Sequence, residues 1–413
     1  GVEERFALGE AEAVNALDEL LGKAVAGQLL ADVPVGAFFS GGIDSSLIVA
    51  LMQKHSGRPV QTFTIGFEDQ RFDESSFARD VARHLGTDHH ELIVTAQDTL
   101  DVVPRLPEIY DEPFADSSQV PTFLVSQLAR SQVTVALSGD GGDELFAGYE
   151  RYLVAKRVWR ILGSMPRPAR TAGAALLRAL PRGLLNKLGT FAGVGSRHST
   201  FADKARKAAS LVAARSPADM RRILAERWDG EAIVIGAGRQ SVPAPSFLRD
   251  PVETLMAMDL QSYLPDDIMV KIDRAAMAVS LETRAPYLDH RVAEFAWRLP
   301  LDLKLRDGTT KWVLREVLAR YLPGSLFDRP KRGFSIPVDE WLRGPLRSWA
   351  SDLLSPDRLE REGYFRVGPI SEAWSEHLSG RSNRQAQLWT VLMFEAWLEA
   401  RGADRTTQAH AGA

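Results

Sequence analysis

Val33-Pro34-Val35-Gly36-Ala37-Phe38-Phe39 runs directly into Ser40-Gly41-Gly42-Ile43-Asp44-Ser45-Ser46, and that into Leu47-Ile48-Val49-Ala50-Leu51-Met52. The first run is short and apolar, as a buried strand is; the third continues as a helix. Between them, Gly41 and Gly42 let the backbone turn sharply and approach a ligand closely. Ser45 and Ser46 open the helix, where unpaired N–H groups and the helix dipole attract anions. Strand, Gly/Ser loop and helix in this order predict a pyrophosphate site, to which Ser40, Ser45 and Ser46 can donate hydroxyls. Asp44 fits among phosphates once Mg²⁺ bridges them. This is not the G-x-x-x-x-G-K-[ST] loop, because no lysine precedes Ser45. Nor is it a G-x-S-x-G elbow, because Phe38 occupies the first glycine's place. A connector that binds nothing is the plainer alternative.

Working outward, residues 60–67, 90–94 and 132–137 read as further strands, with helices over 9–30, 74–85 (Phe77, Val81 and Leu85 on one face), 97–106 and 120–130. Alternating strands and helices predict an α/β fold with a doubly wound parallel sheet. Ligands in such sheets bind at the carboxyl ends of the strands. There the second loop falls, Ser138-Gly139-Asp140-Gly141-Gly142-Asp143-Glu144. Its acids suit a second Mg²⁺ ligand or a substrate contact, with a simple acidic turn as the alternative; their spacing does not match a calcium loop. His89 and His90, adjacent beside a strand, project to opposite faces and do not share an ion.

The rest of the chain reads as mostly helical. Residues 151–250 form a basic helical insertion. Within 151–215 the only acid is Asp203, which suits either a docking face for an acidic partner or a solvated helical surface. Residues 250–400 are helical again, with Leu314, Val317, Leu318 and Tyr321 on one apolar face, and 402–413 reads as a flexible tail. Of 413 residues, 45% are hydrophobic and 25% charged, and the net charge of −4 does not suggest a nucleic-acid binder. No cysteine is present, which removes disulfides, thiolate metal sites and cysteine nucleophiles. No apolar run reaches membrane-spanning length, and the start, GVEERFALGE, has no signal-peptide core. These features suit a cytoplasmic enzyme.

SGGIDSS and SGDGGDELFAGY, with EPFADSS at 112–118, LPDDIMVKIDRAAMAVSLETRAPYLDHR at 264–291 and TKWVLR at 310–315, resemble the synthetase domain of glutamine-dependent asparagine synthetases. The resemblance spans roughly residues 8–400. It implies an ATP pyrophosphatase-type doubly wound sheet with extensive helical additions, in one synthetase domain over 1–400 whose 250–400 part completes the active site. It implies an enzyme that adenylates a carboxylate, aspartate first, and passes the acyl group to ammonia, releasing AMP and pyrophosphate. Ser40, Gly41, Gly42, Asp44, Ser45 and Ser46 then match the pyrophosphate loop. Phe38, Ile65, Ser138 and Gly139 match the adenosine cradle, and Asp44 and Asp143 the Mg²⁺ carboxylates. Lys311 matches a catalytic lysine that contacts phosphates. It also opens an amphipathic helix, where a cation gains nothing from the dipole. Arg274, Glu282 and Arg284 lie in the segment lining the acceptor pocket, and Asp140 is placed to orient the amine or take its proton.

Three departures bear on the substrate and the nitrogen source. Asp140 stands where aspartate-using members commonly carry Glu, and Ser117 where some carry Arg. The family's glutaminase nucleophile is a cysteine, which this sequence lacks. Ammonia is therefore expected from a separate glutaminase domain or subunit, or from solution; a homodimer is the assembly kept open. Rival readings are amidation of another carboxylate such as a sugar acid, closure onto the substrate's own amine to give a β-lactam or cyclic peptide, a nucleotide-dependent tRNA modifier, and a non-catalytic ATP-binding module.

Overall fold

The computed structural model describes residues 4–69, 71, 73–163, 165–181, 184–185, 201–228, 233–238, 242–328 and 336–411. They fall into two compact units. The first comprises residues 1–110, 116–152 and 256–336; the second, residues 111–115, 153–255 and 337–413.

The first unit is built on β1 (Val35–Phe38), β2 (Gln61–Phe67), β3 (Asp88–Val94), β4 (Val135–Leu137) and β5 (Glu282–Arg284), arranged β3-β2-β1-β4-β5. All pair in parallel; Ala37 faces Thr62 of β2 and Leu137 of β4, and Leu137 faces Arg284. Strands covered on both faces read as nearly continuous apolar runs, and Thr62 through Gly66 of β2 are all buried. Among the helices of this unit are α1 (Glu10–Gln28), α2 (Ile43–His55), α3 (Ser75–Leu85), α4 (Gln119–Arg130), α5 (Val270–Met277) and α6 (Trp312–Leu318). Val135 and Leu137 join α1, α2 and α6 in one core. The intervening Ala136 is also fully buried and belongs to the opposite face of the strand. A second group of helices has α4 packed on β1, β2 and α5.

The strand order fixes where a ligand can bind. From β1 the chain moves outward to β2 and β3, then returns to β4 on the other side of β1. The carboxyl ends of β1 and β4 therefore flank the topological switch point, the binding crevice of open α/β sheets. Both Gly-rich loops emerge there.

Several elements differ from the sequence reading. On α3 the buried face is Ser75, Ala78, Val81 and Ala82, whereas Phe77 is exposed. The sheet has a fifth strand, β5, in a stretch without a strand pattern. Asp259–Met269 forms a π-helix with Pro265 inside it. Helices from Val338 onward belong to the second unit, as do residues 250–255, so the segment read as one piece over 250–400 is divided at 255/256 and at 336/337. The last helix, Gln385–Ala411, continues through most of the stretch expected to be a flexible tail. Part of the basic run, residues 182–183 and 186–200, lies outside the described residues. No helix of the described residues is long and apolar enough to cross a membrane.

Candidate active site

The first loop leaves β1 and turns at Gly41, whose φ is 66°. Ser40 and Ser45 hydroxyls lie 3.0 Å apart, and Ser45 Oγ donates to Gly42 O at 3.3 Å. Gly42 caps α2 without a side-chain partner, so the helix's first N–H groups are not satisfied by a capping side chain. Ser46 is fully buried and its hydroxyl makes no hydrogen bond, so unlike Ser40 it is not presented at the surface. Phe38 ends β1, and Ile65 is buried in β2 beside it.

The second loop packs on the first. Ser138 N donates to Arg284 O at 2.8 Å, holding the loop to β5. A Cβ at Gly142 would lie 2.6 Å from Asp44 Oδ1, so only glycine permits this approach. Asp143 follows in the one-turn helix Gly142–Leu145, and Asp44 occupies the first turn of α2. The carboxylates converge on Lys311, whose Nζ pairs with Asp143 Oδ1 at 2.6 Å and with Asp44 Oδ2. Gly148 closes the cluster: its N donates to Asp143 O at 2.8 Å, and a Cβ there would sit 2.0 Å from Asp143 Oδ1 and 2.1 Å from Lys311 Cε.

Lys311 is 3% exposed, and its backbone is left-handed at φ 55°. That conformation costs a non-glycine residue about 1–2 kcal/mol and tends to persist at functional sites. Burial alone would favour the neutral amine, but the charges of Asp143 and Asp44 outweigh it and hold the Lys311 pKa above the usual lysine value. The lysine disfavoured by the helix dipole thus has its partners in two carboxylates. For Mg²⁺ the donor set fits. Two hard carboxylates already share one cation, and among the described residues there is no cluster of three or more metal-binding side chains. An ion held here would take its remaining ligands from phosphate and water, as Mg²⁺ does.

Asp140 lies beside this cluster. Burial raises its pKa, as do Asp44 and Asp143, while Ser138 and the charge of Lys271 act to lower it. Glu144, next along, is pushed up to about 7, by burial first; Tyr149 Oη donates to its Oε1 at 2.5 Å.

Three expected acceptor residues are not joined to this centre. Arg284 Nη1 donates to the carbonyls of Gln28 and Leu30 after α1, and its Nε to Glu282. Glu282 is exposed, and neither residue bonds to Asp44, Asp140, Asp143 or Lys311. Arg274 is exposed on α5. One turn earlier on α5, Lys271 is enclosed, its Nζ 2.8 Å from Asp116 Oδ2. Asp116 and Lys271 lie within the EPFADSS and LPDDIMVKIDRAAMAVSLETRAPYLDHR segments, whose pattern assigns neither a role. The available signal was a charge beside the buried stripe of Ile272, Ala275 and Ala276. His89 and His90 make separate contacts: His89 Nδ1 is 2.9 Å from Thr62 Oγ1, and His90 stacks on Phe63.

Residues 16–399 match the asparagine synthase family model. The chain belongs to the asparagine synthase family. It is 36% identical over 380 residues to a putative glutamine-hydrolysing asparagine synthetase of Mycobacterium tuberculosis, covering 92% of this chain and 56% of the relative. With the glutamine-hydrolysing asparagine synthetase 1 of Bacillus subtilis it shares 29% identity over 369 residues, 89% of this chain and 56% of that protein. A protein named amidase chyE from Penicillium rubens is 24% identical over 401 residues, covering 89% of this chain and 59% of its own length. The chain thus spans little more than half the length of these relatives.

Proposed function

We propose that this family member is an ATP-dependent amide-forming synthetase, a carbon–nitrogen ligase that adenylates a carboxylate and transfers the acyl group to ammonia. The observation that carries the reading is the convergence of Asp44, Asp143 and Lys311 where the loops after β1 and β4 meet. In the first step a carboxylate oxygen of the substrate attacks the α-phosphorus of ATP. The bond from that phosphorus to the bridging oxygen breaks, and pyrophosphate leaves. The α2 N-terminus and Ser40 hold phosphate oxygens, and Lys311 meets the charge that builds on the leaving group. Asp44 and Asp143 would hold Mg²⁺, which when bound neutralises phosphate charge. The protein's part is positioning and electrostatics rather than covalent attack. In the second step ammonia attacks the acyl carbon, the carbon–oxygen bond to AMP breaks, and Asp140 is placed to take the amine proton.

Aspartate is the first substrate candidate, giving asparagine in a cytoplasmic biosynthetic role. A second reading, amidation of a different carboxylate, draws support from the short Asp140 side chain and from relatives named as amidases. The nitrogen comes from free ammonia or from a glutaminase domain or subunit. The test is pyrophosphate release from Mg²⁺-ATP with a panel of carboxylates, with and without ammonium. Ammonium-dependent formation of asparagine and AMP is the expected result. Release with another carboxylate alone moves the substrate, and formation of ADP and phosphate overturns the adenylation reading.

A further inference from the structure

The second unit carries a groove of about 620 Å³, a size common among ligand pockets. Helix Val367–Leu378 and the residue after it supply one wall, with Ser371, Trp374, Ser375, Leu378 and Ser379. These follow the i, i+3, i+4, i+7, i+8 spacing of a single helix face. Ile370, Ala373 and His377 of the same helix are buried. The facing wall is Ser351, Leu354, Ser355 and Pro356, where helix Arg347–Leu353 gives way to helix Pro356–Glu362. No residue of either wall is ionisable.

Trp374 is pre-oriented. Its ring lies nearly parallel to that of His377, at 13° with centroids 6.1 Å apart. His377 is fixed in turn, because its Nδ1 accepts from Arg384 N at 3.2 Å. The serines are of two kinds. Ser379 Oγ donates to the carbonyls of Ser375 and Glu376 at 2.8 and 3.2 Å, the local bond that helical serines commonly make. Ser371 makes none: its oxygen is enclosed and has no hydrogen-bond partner. A hydroxyl left so is unfavourable, and a bound ligand that pairs with it removes the cost. No bond holds Ser371 in its present rotamer, so turning toward the groove costs it none. Ser355 precedes helix Pro356–Glu362 at the capping position, yet its side chain makes no cap bond, although serine is favoured there because it can make one. Neither hydroxyl is taken up by its own helix.

We infer that this groove binds a neutral saccharide, with a sugar ring packed on Trp374 and sugar hydroxyls bonded to Ser371 and Ser355. An ionic ligand finds no counter-charge on either wall. A wholly apolar ligand leaves Ser371 as unpaired as before. A pyranose ring meets both conditions. Its C–H face packs on the indole, and its hydroxyls donate and accept as serine does. The inference does not rest on the synthetase reading, because the groove belongs to the second unit whereas Asp44, Asp143 and Lys311 belong to the first.

The experiment is saturation-transfer NMR on the full chain with glucose, galactose, mannose, maltose and cellobiose at millimolar concentration, with glucuronate and glucosamine as anionic and cationic controls. Saturable transfer to at least one neutral sugar, and none to the charged pair, is the expected result. Trp374→Ala should weaken that binding about 10-fold. Ser371→Ala should weaken it about 2- to 10-fold without lowering the melting temperature, since it removes a hydroxyl that has no partner in the free protein. Ser371→Ala therefore reports on the groove even if Trp374→Ala fails to fold. Absence of saturable binding by every neutral sugar overturns the assignment, as does binding that Ser371→Ala leaves unchanged. Tighter binding of glucuronate or glucosamine than of the neutral sugars overturns it too, because the ligand class would then be ionic.

Discussion

At the residue scale, the decisive feature is a lysine shared by two carboxylates. Removing it by Lys311→Met leaves Asp44 and Asp143 facing each other without their shared cation. Breaking a buried pair from one side costs about 3–5 kcal/mol. The variant should therefore melt well below wild type in chelator, regain much of that loss on adding Mg²⁺, and show no adenylation. Wild type, whose carboxylates already have a cation, should gain less from Mg²⁺ alone. A thermal melt of both proteins with and without Mg²⁺ checks this, and equal Mg²⁺ shifts would remove Asp44 and Asp143 as the metal pair. Gly148→Ala tests the same cluster by shape. Its Cβ would collide with Asp143 and Lys311, so about 1–3 kcal/mol of overpacking strain and loss of turnover are expected. Gly57→Ala, with no atom within 4 Å of the new carbon, should be nearly silent.

At the element scale, the π-helix Asp259–Met269 is fastened to the segment that follows the second loop. Arg151 pairs with Asp259 Oδ2 at 2.9 Å, and Tyr152 Oη donates to the same oxygen at 2.7 Å. The Arg151 guanidinium also lies over the rings of Tyr149 and Tyr263, 3.8 and 4.7 Å from their centroids. Tyr152→Phe removes one bond to a buried carboxylate and should cost about 1.5–3 kcal/mol in a denaturant melt. Arg151→Ala should cost more, because Asp259 would lose its cation as well as the ring stack. This region also shows what the sequence could not reveal. β1, β2 and β4 were legible because strands covered on both faces are apolar runs, and the loops because their Gly, Ser and Asp composition is rare. β5 is three residues whose partner is remote in sequence, and a π-helix has no period that an α-helical pattern can expose. For Arg284 the motif was visible in the sequence, but not the Gln28 and Leu30 carbonyls to which its guanidinium donates.

At the scale of the whole molecule, the partition into two units was not readable, because the second unit gathers three stretches that residues 116–152 and 256–336 of the first separate. Contacts so remote in sequence leave no local pattern. The second unit does carry a testable property of its own. Glu395 is fully buried in the last helix, with Glu362 and Arg358 as neighbours. Burial, then the adjacent Glu362, pushes its carboxyl up to about 8, while Arg358 acts the other way. In the unfolded chain the same group releases its proton near the ordinary glutamate value. The folded unit therefore holds a proton that the unfolded chain lacks over the interval from about 4.5 to 8. The resulting stabilisation is complete below the lower value and is lost as pH rises through the upper one. The second unit should accordingly melt at progressively lower temperature as pH rises from about 4.5 to about 8, and level off above that. Glu395→Gln, which keeps the shape and cannot ionise, should flatten that dependence and exceed wild type in stability at the alkaline end. A melting series in which the variant and wild type fall in parallel would show that Glu395 is already ionised at neutral pH, with Arg358 rather than burial deciding its charge.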